Sequence, residues 1–171
     1  MNRTSAIFLP FDSYDLVRVL GVDDAERATA WLLKEKGGEN RVVLKSLPQV
    51  FKAVPDTIKD KPYPGWAKVL EVKKTENGLH LIREYVEGKT LDEYAGEKER
   101  LEETVVRPLF AAVCRSLRFA HQNQECHGNL KPANVIVSGD KITLLDSRSA
   151  YIGKEEGGGG AETVDPFLIG N

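Results

Sequence analysis

One polar stretch between two apolar regions carries the groups of greatest chemical interest. It runs from His127 to Asn134 and reads His-Gly-Asn-Leu-Lys-Pro-Ala-Asn, and Asp146 follows it after two short apolar runs. The amide of Asn129 does not titrate in water, so it cannot serve as a general base. Asn134 and Asp146 belong to residue types that cap turns well, so a purely structural role in tying loops together is one interpretation of both.

The elements that must position these groups change character halfway along the chain. Apolar runs separated by turn signals predict five strands in the first half, at residues 16–20, 30–33, 41–45, 66–73 and 79–86. The second half turns helical, with a short helix at 90–96 capped by Thr90. A hairpin of two short strands, 135–137 and 142–145, follows the polar stretch.

A long helix is predicted over residues 102–124, with Pro108 at its first position or at a kink. Its apolar residues share one face and mark it as the main packing element of this half: Leu109, Val113, Leu117 and Ala120, with Phe110 beside them. Four glycines at 157–160 cannot hold one conformation without outside support. The apolar tail at 164–169 must pack somewhere.

Four motifs in this order resemble a protein kinase from Tyr14 to about Ile152. The polar stretch resembles the catalytic loop His-Arg-Asp-Leu-Lys-Pro-x-Asn, and Arg41-Val-Val-Leu-Lys45 resembles the third-strand Val-Ala-Ile-Lys. Residues 83–91 resemble the hinge of bacterial-type serine/threonine kinases. Leu145-Asp146-Ser147-Arg148 stands where a kinase has Asp-Phe-Gly.

The resemblance implies an α+β fold with a five-stranded antiparallel N-lobe sheet, a shrunken or absent C-helix, and a minimal C-lobe of one long helix and the catalytic-loop hairpin. We expect an N-terminal extension over 1–13, the N-lobe over 14–86, the C-lobe over 87–152, and a flexible Gly-rich segment with an apolar tail over 153–171. The chain ends about 25 residues past Asp146, so the underside of the long helix is expected to lack its usual cover.

The resemblance implies that part of the nucleotide-binding and metal-binding machinery is retained. Lys45 matches the lysine that holds the α- and β-phosphates, and Lys131 matches the γ-phosphate contact. Asn134 and Asp146 match the two metal ligands. These four are the residual candidates for cofactor binding, although we expect no bound cofactor, and ATP with magnesium is the alternative.

Other parts are lost. The base is replaced by Asn129, and loss of a positioned base costs about 10²–10⁴ in rate. Ser147 and Arg148 replace the hydrophobic plug and flexible hinge that follow the metal-binding Asp. No Glu lies between Lys45 and Trp66 to partner the lysine, and prolines break that segment, so only a short turn is expected there.

The glycine-rich loop is degraded as well. In either register, Asp23, Asp24 and Glu26 stand where phosphates would lie, and a solvated acidic turn is the interpretation we favour. Arg83 falls at the position before the hinge where a kinase carries an apolar residue. A buried Arg needs a carboxylate, so it fills the pocket, pairs with a nearby acid or reaches out to solvent.

Composition limits the remaining classes of function. A chain of 171 residues with 24 basic and 26 acidic residues suits one domain and gives no support to a nucleic-acid binder. Cys114 and Cys126 have no metal-ligand spacing, so buried reduced thiols in a cytoplasmic protein are predicted, with no metal site. The start is no signal peptide, and no stretch is apolar enough to span a membrane.

The leading hypothesis is therefore a catalytically inactive pseudokinase that serves as a binding or scaffolding module. It is expected to bind a protein partner or to self-associate. The alternative is a nucleotide-binding domain or an atypical phosphotransferase that uses Lys45, Asn134 and Asp146.

Overall fold

The computed structural model describes residues 12–46, 63–75, 78–98, 100–123 and 125–147. The first half forms one five-stranded antiparallel sheet in the order β1-β2-β3-β5-β4. Its strands are β1 Tyr14–Val22, β2 Ala28–Glu35, β3 Arg41–Ser46, β4 Val69–Thr75 and β5 Gly78–Glu84. The predicted N-lobe sheet is thus confirmed. The N-terminal extension, the segment expected to hold the C-helix and the Gly-rich tail lie outside the described residues.

In its described part, the second half contains two α-helices, a 3-10 helix at Pro132–Asn134 and a three-stranded antiparallel sheet. The α-helices are α1 Leu91–Gly96 and α2 Glu103–Gln122, and the strands are β6 Lys89–Thr90, β7 Val135–Ser138 and β8 Lys141–Leu144. The predicted cap of α1 is confirmed, because Thr90 and Glu93 form a reciprocal capping box. Pro108 lies inside α2, which excludes the first helical position, one of the two places predicted for it.

Each half has its own apolar cluster. The sheet buries Trp31, Leu33, Val42, Leu44 and Ile82 on one face. In the second half, Leu117 of α2 packs against Leu130 of the polar stretch. It also packs against three residues of the β7–β8 hairpin, namely Val135, Ile142 and Leu144. The apolar face predicted for α2 is confirmed, since Leu117 and Ala120 are buried and Leu109 and Val113 pack against this cluster.

The segment at residues 63–68 contacts the cluster of the second half through Trp66 and then enters the five-stranded sheet. Trp66 was predicted to belong to β4, but it pairs with Leu144 of β8 and donates its indole N–H to the Ser116 carbonyl at 3.1 Å. Gly65 has φ +78°, and a Cβ there would lie 2.2 Å from Ser116 Oγ, so only glycine fits against α2. The strand pattern extended too far because Trp66 packs across the lobe boundary.

The two cysteines correct another expectation. Cys114 is exposed on α2 and Cys126 is half-buried, so the prediction of buried thiols is wrong. Cys114 stands outside the apolar face because that face is taken by Leu117 and Ala120. Of the helices in the described ranges, none has the length and apolarity to cross a membrane.

Candidate functional site

The residues of interest meet around the carboxylate of Asp146, at the end of β8. Its side chain is only 9% exposed, and its two oxygens contact two different cations. Lys45 Nζ lies 2.7 Å from Oδ2, and Arg83 Nε lies 3.2 Å from Oδ1. We call these three residues the Asp146 cluster.

Strand register explains why both cations reach the same carboxylate. Val43 of β3 lies opposite Arg83 of β5, and Lys45 lies opposite Leu81. Side chains two residues apart on a strand share a face, as do residues directly opposite each other on neighbouring strands. Lys45 and Arg83 therefore project from the same face of the sheet, and β8 brings Asp146 to that face.

The electrostatics of the cluster favour an ionised Asp146. Burial raises the pKa of this carboxyl, but the charges of Arg83 and Lys45 and their hydrogen bonds outweigh burial and lower the pKa below its ordinary value. Arg83 also donates from Nη1 to the Glu84 carbonyl at 3.1 Å, which holds its guanidinium in place. Of the three arrangements expected for Arg83, the structure therefore contains the pair with an acid.

The polar stretch is hydrogen-bonded to the end of the hairpin. Asn129 Nδ2 donates to the Asp146 carbonyl at 2.9 Å, and Asn134 Nδ2 donates to the Asn129 carbonyl at 2.7 Å. Ser147 Oγ donates to the carbonyl of His127 at 3.1 Å. These contacts match the structural interpretation of Asn134 and Asp146, in which both hold loops together.

The backbone of Asp146 has a conformation that residues other than glycine rarely adopt. Its φ is +57°, in the left-handed region that Asp and Asn tolerate better than most residues. The bond from Asn129 and the two ion pairs hold this conformation in place. The sequence contained no signal for the role of Asn129, because its partner is a backbone carbonyl seventeen positions away.

Lys131 is separate from this cluster. It is exposed and lines an apolar groove beside Asp92, and its charge contributes to lowering the pKa of Asp92, after the larger effect of the hydrogen bond with Thr90. The charges that shift the pKa of Asp146 come from Arg83 and Lys45. The structure therefore pairs Lys45 directly with Asp146, links Asn134 to Asp146 through Asn129, and places Lys131 at the groove. Arg148 lies outside the described residues.

The turn between β1 and β2 is held together by the carboxylate of one of its own residues, Asp23. Asp23 Oδ1 accepts the backbone N–H groups of Ala25 at 3.0 Å and Arg27 at 2.9 Å, and Oδ2 accepts the Arg27 side chain at 2.8 Å. Glu26 has φ +58° and donates its N–H to the Asp23 carbonyl. The backbone N–H bond from Arg27 contributes most to the lowered pKa of Asp23. The structure thus contains the acidic turn that the sequence favoured.

In the arrangement that this structure shows, the carboxylate of Asp146 is not free to ligate magnesium. A divalent cation prefers several oxygen ligands with negative charge, but both oxygens of Asp146 already face cations. Within the described ranges no cluster of three His, Cys, Asp or Glu side chains exists that could hold a metal. A metal at Asp146 would have to displace Lys45 or Arg83.

Comparison with known proteins agrees with the fold. The chain resembles the kinase domain of PknI from M. tuberculosis, with a TM-score of 0.62 and 23% identity over 80% of this chain and 59% of that one. At this identity the likeness concerns the fold alone.

Two sequence relatives each match about half of the chain. A "Probable serine/threonine-protein kinase" of Dictyostelium discoideum is 40% identical over 85 residues, which are 49% of this chain and 10% of the relative. The SNF1-related protein kinase catalytic subunit alpha KIN12 of Arabidopsis thaliana is 33% identical over 85 residues, or 17% of its length. The chain therefore spans a small part of these curated relatives. The protein kinase domain pattern matches residues 63–155, more than half of the chain. This chain belongs to the protein kinase family.

Proposed function

We propose that this kinase-like domain is catalytically inactive and acts as a protein-binding module with a scaffolding or regulatory role. The observation that carries the proposal is the Asp146 cluster. Lys45 and Asp146 would have to contact phosphate and metal in an active kinase, and here they contact each other at 2.7 Å. Arg83 adds a second cation to the same carboxylate.

The contacts of Asp146 with Lys45 and Arg83 matter because phosphoryl transfer depends on where phosphate and metal can bind. The protein does little covalent chemistry in this reaction, so the rate depends on the positions of phosphates, metal and nucleophile. Binding of a nucleotide and metal at Asp146 would first have to break two ion pairs that both use its buried carboxylate. The free energy needed to break them would be subtracted from the affinity for the nucleotide.

Two further contacts support inactivity. The turn after β1 uses its backbone N–H groups on the Asp23 carboxylate, so they are not presented to an outside phosphate. Asn129 replaces the base, and its amide donates to the Asp146 backbone. An amide cannot take the proton of a substrate hydroxyl.

The binding part of the proposal rests on strand β1, at the edge of the five-stranded sheet. Its apolar side chains are exposed to an unusual degree, namely Leu16, Val17, Val19, Leu20 and Val22. An edge strand with exposed apolar residues is suited to pair with a strand of another protein. The simplest such protein is a second copy. We retain the cytoplasm as the proposed location.

A nucleotide-binding experiment tests inactivity. We expect no change in the thermal midpoint with ATP and magnesium or manganese, and no transfer of labelled phosphate. The Lys45→Ala variant, a control for residual activity, should match the parent in both assays. A shift of several degrees would favour the alternative of a nucleotide-binding domain, because a ligand that binds only the folded state raises the midpoint. Transfer that is abolished in Lys45→Ala would establish an atypical phosphotransferase.

Light scattering over a concentration series tests the binding surface. We expect association that weakens when Val17→Lys places a charge on β1, because lysine blocks edge-to-edge pairing. Arg18→Lys is the matched control on the same strand and should leave association unchanged. A monomer at every concentration would remove self-association as the function of this edge.

A further inference from the structure

A second apolar surface lies in the helical half of the chain, beneath helix α2. There α1, α2 and the β7–β8 hairpin surround an open cavity of about 460 Å³, which we call the α2 groove. Its walls are apolar, and include Leu101, Val106, Leu109, Phe110, Val113 and Ile142. Among the residues that line it, only Asp92 and Lys131 carry a charge. This volume falls in the range of about 300–1,000 Å³ typical of clefts that hold a ligand.

The cavity is an open extension of the core. Leu130, Val135 and Ile142 on its floor belong to the buried cluster that packs on Leu117. On its wall, Phe110 is 47% exposed, and Leu109 and Val113 are half-buried. Apolar walls around an open groove gain free energy when another apolar segment removes them from water.

We propose that residues 164–169 of this same chain, Val-Asp-Pro-Phe-Leu-Ile, fill the α2 groove. Val164, Phe167, Leu168 and Ile169 match its apolar walls. Pro166 has no N–H group, so it can lie on an apolar surface without leaving a donor unsatisfied. Asp165, the one charged residue of the segment, can meet Lys131, the one cation that lines the groove.

The connecting chain is long enough. Ser147 binds the His127 carbonyl at 3.1 Å, and Leu130 of the groove floor lies in the same polar stretch. The sixteen residues 148–163 span up to about 50 Å when extended, which exceeds the width of a domain of this size. The glycines at 157–160 let the chain change direction at little steric cost.

A double-mutant cycle on the full chain tests the contact. Phe110→Ala and Phe167→Ala should each lower the thermal midpoint by a few degrees. The double variant should lose less than the sum, because both changes remove the same contact. Phe110 is half exposed, so its truncation leaves the buried core intact, and Phe110→Leu serves if that variant does not fold.

Phe119 provides the matched control. It is an exposed phenylalanine of the same helix, at 45%, and it does not line the groove. Phe119→Ala and Phe167→Ala should therefore be additive. Additive effects for Phe110 and Phe167 as well, or no effect of Phe167→Ala, would overturn the proposal.

Light scattering on the same variants separates one chain from two. Coupling between Phe110 and Phe167 in a monomer supports filling by the chain's own segment. Coupling that is present only in a dimer would mean that the segment fills the groove of a second copy, which contradicts the proposal. Because these variants leave the Asp146 cluster unchanged, the result is independent of nucleotide binding.

Discussion

Two carboxylates of this domain bind internal cations, but they do so on very different scales. Asp23 binds Arg27, four residues away, in a turn where the Arg27 side chain is 79% exposed. Asp146 binds Arg83 and Lys45, which are 63 and 101 residues away, and both Asp146 and Arg83 are at most 10% exposed. The first contact shapes a turn, whereas the second holds two lobes together.

The difference lies in solvation as much as in distance. An exposed ion pair contributes only about 0–1 kcal/mol because water and salt screen it. A buried pair must first pay the cost of leaving water, and removing one partner then leaves a charge uncompensated, at about 3–5 kcal/mol. Substitutions in the two regions should therefore have clearly different effects on stability.

The largest effect is expected for Asp146→Ala. It leaves Arg83 buried without its carboxylate and places alanine at φ +57°, so we expect a loss of about 3–5 kcal/mol of unfolding free energy. Asp146→Asn, which tolerates this φ, should lose less. Urea denaturation measures both. A loss below about 1 kcal/mol for Asp146→Ala would show that the cluster contributes no more than a surface pair.

Arg83→Met should have a smaller effect. Asp146 keeps Lys45, and methionine fills much of the same volume, so the loss is that of hydrogen bonds to charged groups, about 1–3 kcal/mol. Arg41→Met, at an exposed position of β3, is the matched control and should change stability by less than about 0.5 kcal/mol. Equal effects of the two substitutions would contradict a special role for Arg83.

Acid should weaken the cluster. The pKa of Asp146 is lowered in the folded state relative to its ordinary value of 3.8, so the unfolded chain binds the proton more readily. The stabilisation is fully present above that ordinary value and is lost as the pH falls through the lower, folded value. Urea midpoints measured from about pH 5 down to about pH 2 should fall more steeply in the parent than in Asp146→Asn, with most of the difference appearing below the ordinary value. Parallel curves would contradict the prediction.

The smallest effect is expected at the turn. Asp23→Ala removes the acceptor for two backbone N–H groups and should lower the urea midpoint only slightly, as for a lost helix cap at an exposed site. Asp23→Asn keeps an acceptor oxygen and removes only the pair with Arg27, so it should lower the urea midpoint less than Asp23→Ala and become neutral in high salt. A cost at Asp23 equal to that at Asp146 would erase the contrast between the regions.

Local features were the ones that sequence patterns predicted well. The five strands, the helix cap at Thr90 and the apolar face of α2 all depend on residues close in the chain. The expected acidic turn at Asp23 also depends on contacts within four residues. Trp66 was assigned to the wrong element because its apolar character suits both a strand and a contact with the other lobe. The burial of Cys114 was predicted wrongly because neighbouring residues of a helix can lie on a buried and on an exposed face.

The amino-acid sequence by itself determined the protein kinase fold and the absence of a carboxylate at Asn129, since both depend on motifs and residue identity. Only the tertiary structure decided how Lys45, Arg83 and Asp146 combine. The pairing of β3 with β5 puts the two cations on one face, and the end of β8 delivers the carboxylate to them. A buried charge takes whichever partner the packed chain brings within reach, and that distance is a property of the assembled lobes.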